Sequence, residues 1–252
     1  MQLLVSVRSA AEARMALEGG CQIVDIKEPA HGALGMARHE TIREIVAACR
    51  EFSPSTPVSV ALGDAGDWAD LSRSASSTGL PEVAYVKLGT QGLSGTDWGD
   101  AWQLACQRAA SPRAVGSKVI LVAYADAAEV DAPSPKNALQ VAAALRCDGI
   151  LIDTAVKSGP GLFGCLSVEE LLRMRESAAE LGLSFGLAGR LCLVDIPQLR
   201  SIEPDIVGIR SAACGGNRNG MLSPMAVREF HQALIGEQPV GECLSGKNSA
   251  KW

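Results

Sequence analysis

Asp25 and Lys27, two positions apart in the strand-like stretch VDIKEP, are the first residues in this chain that could do chemistry. In a strand, an i, i+2 pair points to one face. A carboxylate and an amine on one face of a buried strand are costly unless they are paired, wet or functional. The pattern recurs. Lys87 sits in YVKLG, Asp153 ends the apolar part of GILIDT, Lys157 follows four residues later in AVKSG, and Arg210 closes DIVGIR. Crowded ammonium groups, or a lysine in a dry pocket, have lowered pKa values. A neutral amine can attack a carbonyl to form a Schiff base. The protonated imine acidifies the adjacent carbon, and carboxylates alongside can move the protons. This is class I aldolase-like chemistry, carried out without a metal. Spacing alone leaves open which lysine forms the imine.

Each charge has a plainer reading. A strand-end lysine is commonly a solvated charge, Asp153 before Thr154 could cap a turn, and Asp25 with Lys27 could be a weak surface pair. The places of these residues along the chain speak against such readings. Eight apolar, β-branched runs (3–7, 23–27, 58–62, 84–89, 118–124, 149–154, 184–189 and 205–210) alternate with amphipathic stretches. Runs apolar throughout are expected of strands covered on both faces, and repeated βα units imply a parallel sheet. The turn after the first run, SVRSAAEA, has none of the glycines of a dinucleotide-binding open sheet. The prediction is α/β: a single (β/α)8 TIM barrel over residues 1–236, followed by a Gly-, Ser- and Pro-rich tail, 237–252, expected to be flexible.

In such barrels the chemistry lies at the C-terminal ends of the strands. Asp25, Lys27, Lys87, Asp153 and Arg210 all fall there, on strands two, four, six and eight. Strands of one parity contribute to the same interior layer, so these side chains and Lys157 are expected to meet near the axis. Loops seven and eight of barrels often hold phosphate. Gly189 in LAG, and Arg210, Gly215, Gly216 and Arg218 in RSAACGGNRNG, are the expected phosphate-binding residues. The substrate is then a small phosphorylated carbonyl compound.

Composition excludes several classes. A net charge of −5 with no basic tract gives no footing for nucleic acid, and no apolar run reaches the roughly 20 residues of a membrane helix. The apolar start is too short for a secretory signal, so the expectation is a soluble cytoplasmic protein. The eight cysteines are scattered without metal-ligand spacing and read as reduced thiols. No metal and no cofactor are expected. His31 lies just past the Lys27 strand and reads as a loop residue. The weak third helical stretch, around DWADLSRSASS, is a candidate contact should the protein be a homo-oligomer.

LLVSV, IVDIKEP with GALG, YVKLG, YADA, LIDTAVKSG and DIVGIRSAACGGNRNG, in that order over residues 1–235, together resemble the (5-formylfuran-3-yl)methyl phosphate synthases of methanofuran biosynthesis. The resemblance implies a lyase condensing two molecules of glyceraldehyde 3-phosphate, with loss of phosphate and water. It implies that Lys27 forms the Schiff base and Lys87 is the proton acceptor. Asp25, Asp153 and Lys157 match the remaining active-site positions. The alternatives are another class I aldolase acting on a small sugar phosphate, with its imine on Lys157, and a non-catalytic sugar-phosphate-binding protein.

Overall fold

The structure, a computed structural model, describes residues 1–68, 80–93, 95, 97–110 and 116–236. Eight parallel strands close on themselves in sequence order: β1 Gln2–Val7, β2 Ile23–Ile26, β3 Val58–Asp64, β4 Tyr85–Gly89, β5 Lys118–Tyr124, β6 Gly149–Asp153, β7 Ser184–Leu187 and β8 Ile206–Ile209. Closure is the pairing of β8 with β1, where Leu3 partners Val207 and Val5 partners Ile209. The predicted barrel is what forms. The third helical stretch lies mostly outside the described residues, apart from the short 3-10 turn Ala65–Trp68. The 237–252 tail lies outside them entirely.

The helices are α1 Ala10–Glu18, α2 His39–Phe52, α3 Trp98–Ala110, α4 Pro135–Ala144, the single turn α5 Leu162–Cys165, α6 Val168–Glu180, α7 Ile196–Ile202 and α8 Pro224–Ile235. Several begin at a serine whose hydroxyl accepts an otherwise unsatisfied backbone N–H: Ser9 for α1, Ser134 for α4, Ser167 for α6 and Ser223 for α8. Such caps stabilise a helix by about 1 kcal/mol each. Pro135 and Pro224 sit in the first turn, where a missing N–H costs nothing. These local signals fix where each helix starts, and so how far each strand's loop projects over the barrel.

Strand β5 shows why the runs are apolar on both faces. Val119, Leu121 and Ala123 join the large core between sheet and helices, while Ile120, Val122 and Tyr124 join a smaller cluster inside the barrel with Ala61, Leu151 and Ala188. That interior plug fills the middle of the barrel. The cavity therefore opens at the C-terminal ends of the strands.

The seven described cysteines are free thiols. Burial pushes Cys21 up to about 12 and Cys49 to about 11, which keeps both unreactive. Cys243 lies outside the described residues. Among those residues no helix is long and apolar enough to cross a membrane, and no group of three or more His, Cys, Asp or Glu side chains could hold a metal ion.

Candidate active site

A cavity of about 250 Å3 opens at the C-terminal ends of the strands, near the barrel axis. Its floor is an ion pair. Asp25, on β2, is fully buried, and its Oδ2 accepts a hydrogen bond from Ser6 Oγ at 2.9 Å. Its Oδ1 lies 2.6 Å from Nζ of Lys87, in the middle of β4. Lys87 is nearly as buried, so the two charges depend on each other.

Lys27 stands just past the last residue of β2, anchored by its backbone N–H to Val7 O at 3.1 Å. It shares a face with Asp25, as the i, i+2 spacing requires, and its side chain is only 8% exposed. Among the described residues its amine has no hydrogen-bond or ion-pair partner. Burial lowers its pKa to about 8. Asp153 and Asp25 pull the value up, while the Lys157 and Lys87 ammonium groups push it down. At neutral pH roughly a tenth of the molecules then carry a neutral Lys27 amine.

A second pair flanks it. Asp153 ends β6, and its Oδ1 accepts from Lys157 Nζ at 2.8 Å and from the Thr154 backbone N–H at 2.7 Å. Burial would raise the Asp153 pKa, but the Lys157 and Lys27 charges and these hydrogen bonds outweigh it and hold it below the usual carboxylate range. Lys157 Nζ also donates to the Thr154 carbonyl oxygen. Asp25, Lys27, Lys87, Asp153 and Lys157 are thus brought together around one cavity.

The expected phosphate residues divide. Gly189, Gly216, Arg210 and Arg218 line the cavity, whereas Gly215 does not. The Gly216 N–H donates to Ser211 O at 2.8 Å, inside its own turn. Arg210 is spent on protein. It makes a two-pronged ion pair with Glu12, at 2.6 and 3.1 Å, and also donates to the carbonyls of Ser6, Arg218 and Gly220. These contacts occupy all of its N–H groups, and they tie the loop after β8 to α1. Arg218 reaches across the mouth to the carbonyls of Pro29 and Gly32 through Nη2 alone.

Arg190, Ser211 and Asn217 also line the cavity, and the sequence reading did not single them out. Arg190 follows Gly189 and holds φ at +58, a left-handed conformation uncommon outside glycine. The sequence gives no sign of that strain. His31 is exposed and lies in a neighbouring surface groove rather than here. Around the cavity stand Lys27, Lys87, Lys157, Arg190, Arg210 and Arg218, against the carboxylates of Asp25 and Asp153. Even with Arg210 neutralised by Glu12, the excess charge is positive in a protein of net charge −5. Such a pocket draws anions.

The model of the 4-HFC-P synthase family matches residues 3–231. The chain belongs to the 4-HFC-P synthase family. It is 38% identical over 239 residues to the (5-formylfuran-3-yl)methyl phosphate synthase of Methanopyrus kandleri, covering 92% of this chain and 98% of that one. It is 30% identical over 237 residues to the synthase of the same name from Archaeoglobus fulgidus, covering 94% of this chain and 100% of the relative. Among solved structures, 3-hexulose-6-phosphate synthase from Salmonella typhimurium superposes with a TM-score of 0.60 at 17% identity, covering 94% of this chain and 100% of that one. Thiamine phosphate pyrophosphorylase from Pyrococcus furiosus superposes with a TM-score of 0.57 at 14% identity, covering 93% and 95%. These two likenesses establish the fold alone.

Proposed function

We propose that this chain is a (5-formylfuran-3-yl)methyl phosphate synthase that condenses two molecules of glyceraldehyde 3-phosphate through a Schiff base on Lys27. The observation that carries this reading is the buried Lys27 amine, unpartnered among the described residues and flanked by two lysine–carboxylate pairs. Lys157, the imine-forming residue of the alternative aldolase reading, is held by Asp153 and Thr154. Those contacts turn the Lys157 amine toward protein acceptors, whereas Lys27 has none among the described residues, which favours Lys27 as the nucleophile.

The reaction follows from these roles. Lys27 attacks one aldehyde, and the carbinolamine loses water to give the protonated imine. The Lys87–Asp25 pair takes the proton from the adjacent carbon, with Asp25 relieving Lys87 of its own proton first, and an enamine results. The enamine expels phosphate or attacks the second aldehyde. Ring closure and dehydration give the furan, and aromaticity favours the last steps. Atom balance requires one phosphate and two waters to leave for each product. Lys157, Arg190 and Arg218 supply positive charge for the phosphate groups, and Arg210 braces the loop that carries Arg218. The product would serve methanofuran or a related one-carbon cofactor.

Incubation with glyceraldehyde 3-phosphate should produce the ultraviolet absorbance of a furan aldehyde and an equal amount of inorganic phosphate. Borohydride added during turnover should trap a covalent adduct on Lys27, located by mass spectrometry of peptides. An adduct on Lys157 alone, or cleavage of a sugar phosphate without a furan chromophore, would overturn the reading.

A further inference from the structure

The stretch YADA, Tyr124–Ala127, supplies no residue to the cavity, yet its Asp126 is buried beside the loop that carries Lys157. Asp126 precedes the 3-10 turn Ala127–Glu129, a place where an aspartate ordinarily caps its own turn by accepting a nearby backbone N–H. Its side chain makes no such bond. Both carboxylate oxygens cross instead to the loop after β6. Oδ1 accepts from the Ala155 N–H at 2.8 Å, and Oδ2 accepts from the Val156 N–H at 2.7 Å. The preceding N–H, of Thr154, donates to Asp153 Oδ1 at 2.7 Å. Three successive amides are thus held by side-chain carboxylates, and two of them by a residue from a different loop.

The next residue is Lys157. Its side chain folds back over this stretch to reach Asp153 Oδ1 at 2.8 Å, and it also donates to the Thr154 carbonyl oxygen. That return depends on the path the backbone takes from 154 to 156. One side of the path is closed by Gly189, where a Cβ would stand 3.0 Å from Thr154 Cγ2 and 3.2 Å from its backbone nitrogen. Asp126 fixes the part beyond. A plainer role would be to satisfy two amides. Ala155 and Val156 are only half-buried, so water could do that. Burying a carboxylate is costly, and N–H bonds to an ionised oxygen are roughly twice as strong as neutral ones. A two-pronged grip on consecutive amides sets the direction of the loop, which water would not.

We propose that Asp126 is a positioning residue for the lysine site: by fixing the backbone at Ala155 and Val156 it holds the Lys157 ammonium against Asp153, in the cavity that Lys27 shares. Its part in turnover rests on the Schiff-base condensation proposed above. Asp126 acts on Lys27 through Lys157. The charges acting on Lys27 are Asp25 from β2, Lys87 from β4, Asp153 from β6 and Lys157 from the following loop, and Arg190, Arg210 and Arg218 also line the cavity. Lys157 lowers the Lys27 pKa and Asp153 raises it. If the loop is released, Lys157 leaves and Asp153 is freed to attract the Lys27 proton. Both changes raise the Lys27 pKa. Loss of the Asp126 charge by itself would lower it, because a nearby carboxylate favours an ammonium. The direction of the change therefore separates positioning from direct electrostatics.

The test follows the acetylation of Lys27 by trace acetic anhydride across a pH series, read by peptide mass spectrometry. It needs no substrate, so it decides the role of Asp126 even if wild type makes no furan aldehyde, a result that would overturn the condensation alone. Wild-type labelling should rise with a midpoint near 8. Asp126→Asn should move the midpoint to higher pH, as Lys157→Met does. In a Lys157→Met background, Asp126→Asn should move it no further. Given wild-type turnover, kcat of Asp126→Asn at pH 7 should fall about tenfold and recover as the pH is raised. A midpoint that stays in place or moves to lower pH in Asp126→Asn would overturn the proposal. So would an equal upward shift with Lys157 already replaced, since Asp126 would then act by another route. Should Asp126→Asn fail to fold, Asp126→Ser, whose hydroxyl can still accept from one amide, gives the same readouts.

Discussion

Lys87 Nζ and Asp25 Oδ1 stand 2.6 Å apart although their strands are not neighbours. Strand β3 runs between β2 and β4, and it offers only Ser59 and Ala61 at the crossing, where Ser59 pairs with Asp25 and Ala61 with Lys87. Small residues on the intervening strand let the long lysine reach across to the carboxylate. The pair thus belongs to the barrel interior rather than to any one strand.

Asp25→Asn should leave the Lys87 ammonium buried without its counter-charge. Removing one partner of a buried pair costs about 3–5 kcal/mol. Urea unfolding of the variant should show a loss of this size, together with furan formation reduced at least about 100-fold. The double variant Asp25→Leu, Lys87→Met should regain stability and stay inactive. A single variant within about 1 kcal/mol of wild type would mean that the pair is not closed as described.

Lys27 makes the fold less stable at neutral pH. Its pKa is lowered from 10.5 to about 8, so below pH 8 the folded state holds a proton it binds poorly. Above pH 8 the folded lysine is neutral while the unfolded one remains charged, and the penalty shrinks until both are neutral above about 10.5. Lys27→Met should therefore stabilise the protein by about 3 kcal/mol at pH 7, with the gain fading between pH 8 and 10.5, while abolishing turnover. A pH-independent gain measured by denaturant titration would contradict this.

Lys157→Met removes an ammonium that repels the proton on Lys27 and frees Asp153 to attract it. Both effects raise the Lys27 pKa. The rise of single-turnover imine formation with pH, centred near 8 in wild type, should move to higher pH in the variant. A shift to lower pH would show that Lys157 does not act on Lys27 in this way.

Glu12 and Arg210 should behave as one unit. Burial raises the Glu12 pKa, but the Arg210 guanidinium and the Arg8 contacts outweigh it and hold the carboxyl below its usual 4.5. Its stabilisation is present above pH 4.5 and lost as pH falls below it. Glu12→Gln should unfold less steeply in acid than wild type and be less stable at pH 7. A Glu12→Gln, Arg210→Met cycle should show coupling above about 1.5 kcal/mol. Additive losses would show that Arg210 does not depend on Glu12.

Much of the site was legible because strand periodicity is local. Two residues apart on a strand means one face, so Asp25 and Lys27 had to share a side. Apolar runs recurring eight times with amphipathic stretches, without a glycine-rich first turn, point to a closed parallel barrel, and that places Lys87, Asp153 and Lys157 at the same end. Gly215 does not line the cavity while Gly216 does, because a Gly-Gly turn announces flexibility without saying which residue faces inward. Arg210 looked like a phosphate ligand because its acceptor, Glu12, is 198 residues away along the chain.

The sequence by itself determined the barrel and the meeting of lysines and acids at its C-terminal mouth, since both follow from side-chain alternation repeated over eight units. Only the tertiary structure decided which charges pair: Asp25 with Lys87, Asp153 with Lys157, Arg210 with Glu12, and Lys27 with none among the described residues. Hydrogen bonds and ion pairs depend on separations of a few ångströms. Strand curvature and the size of residues on intervening strands set those separations, and no spacing along the chain records them.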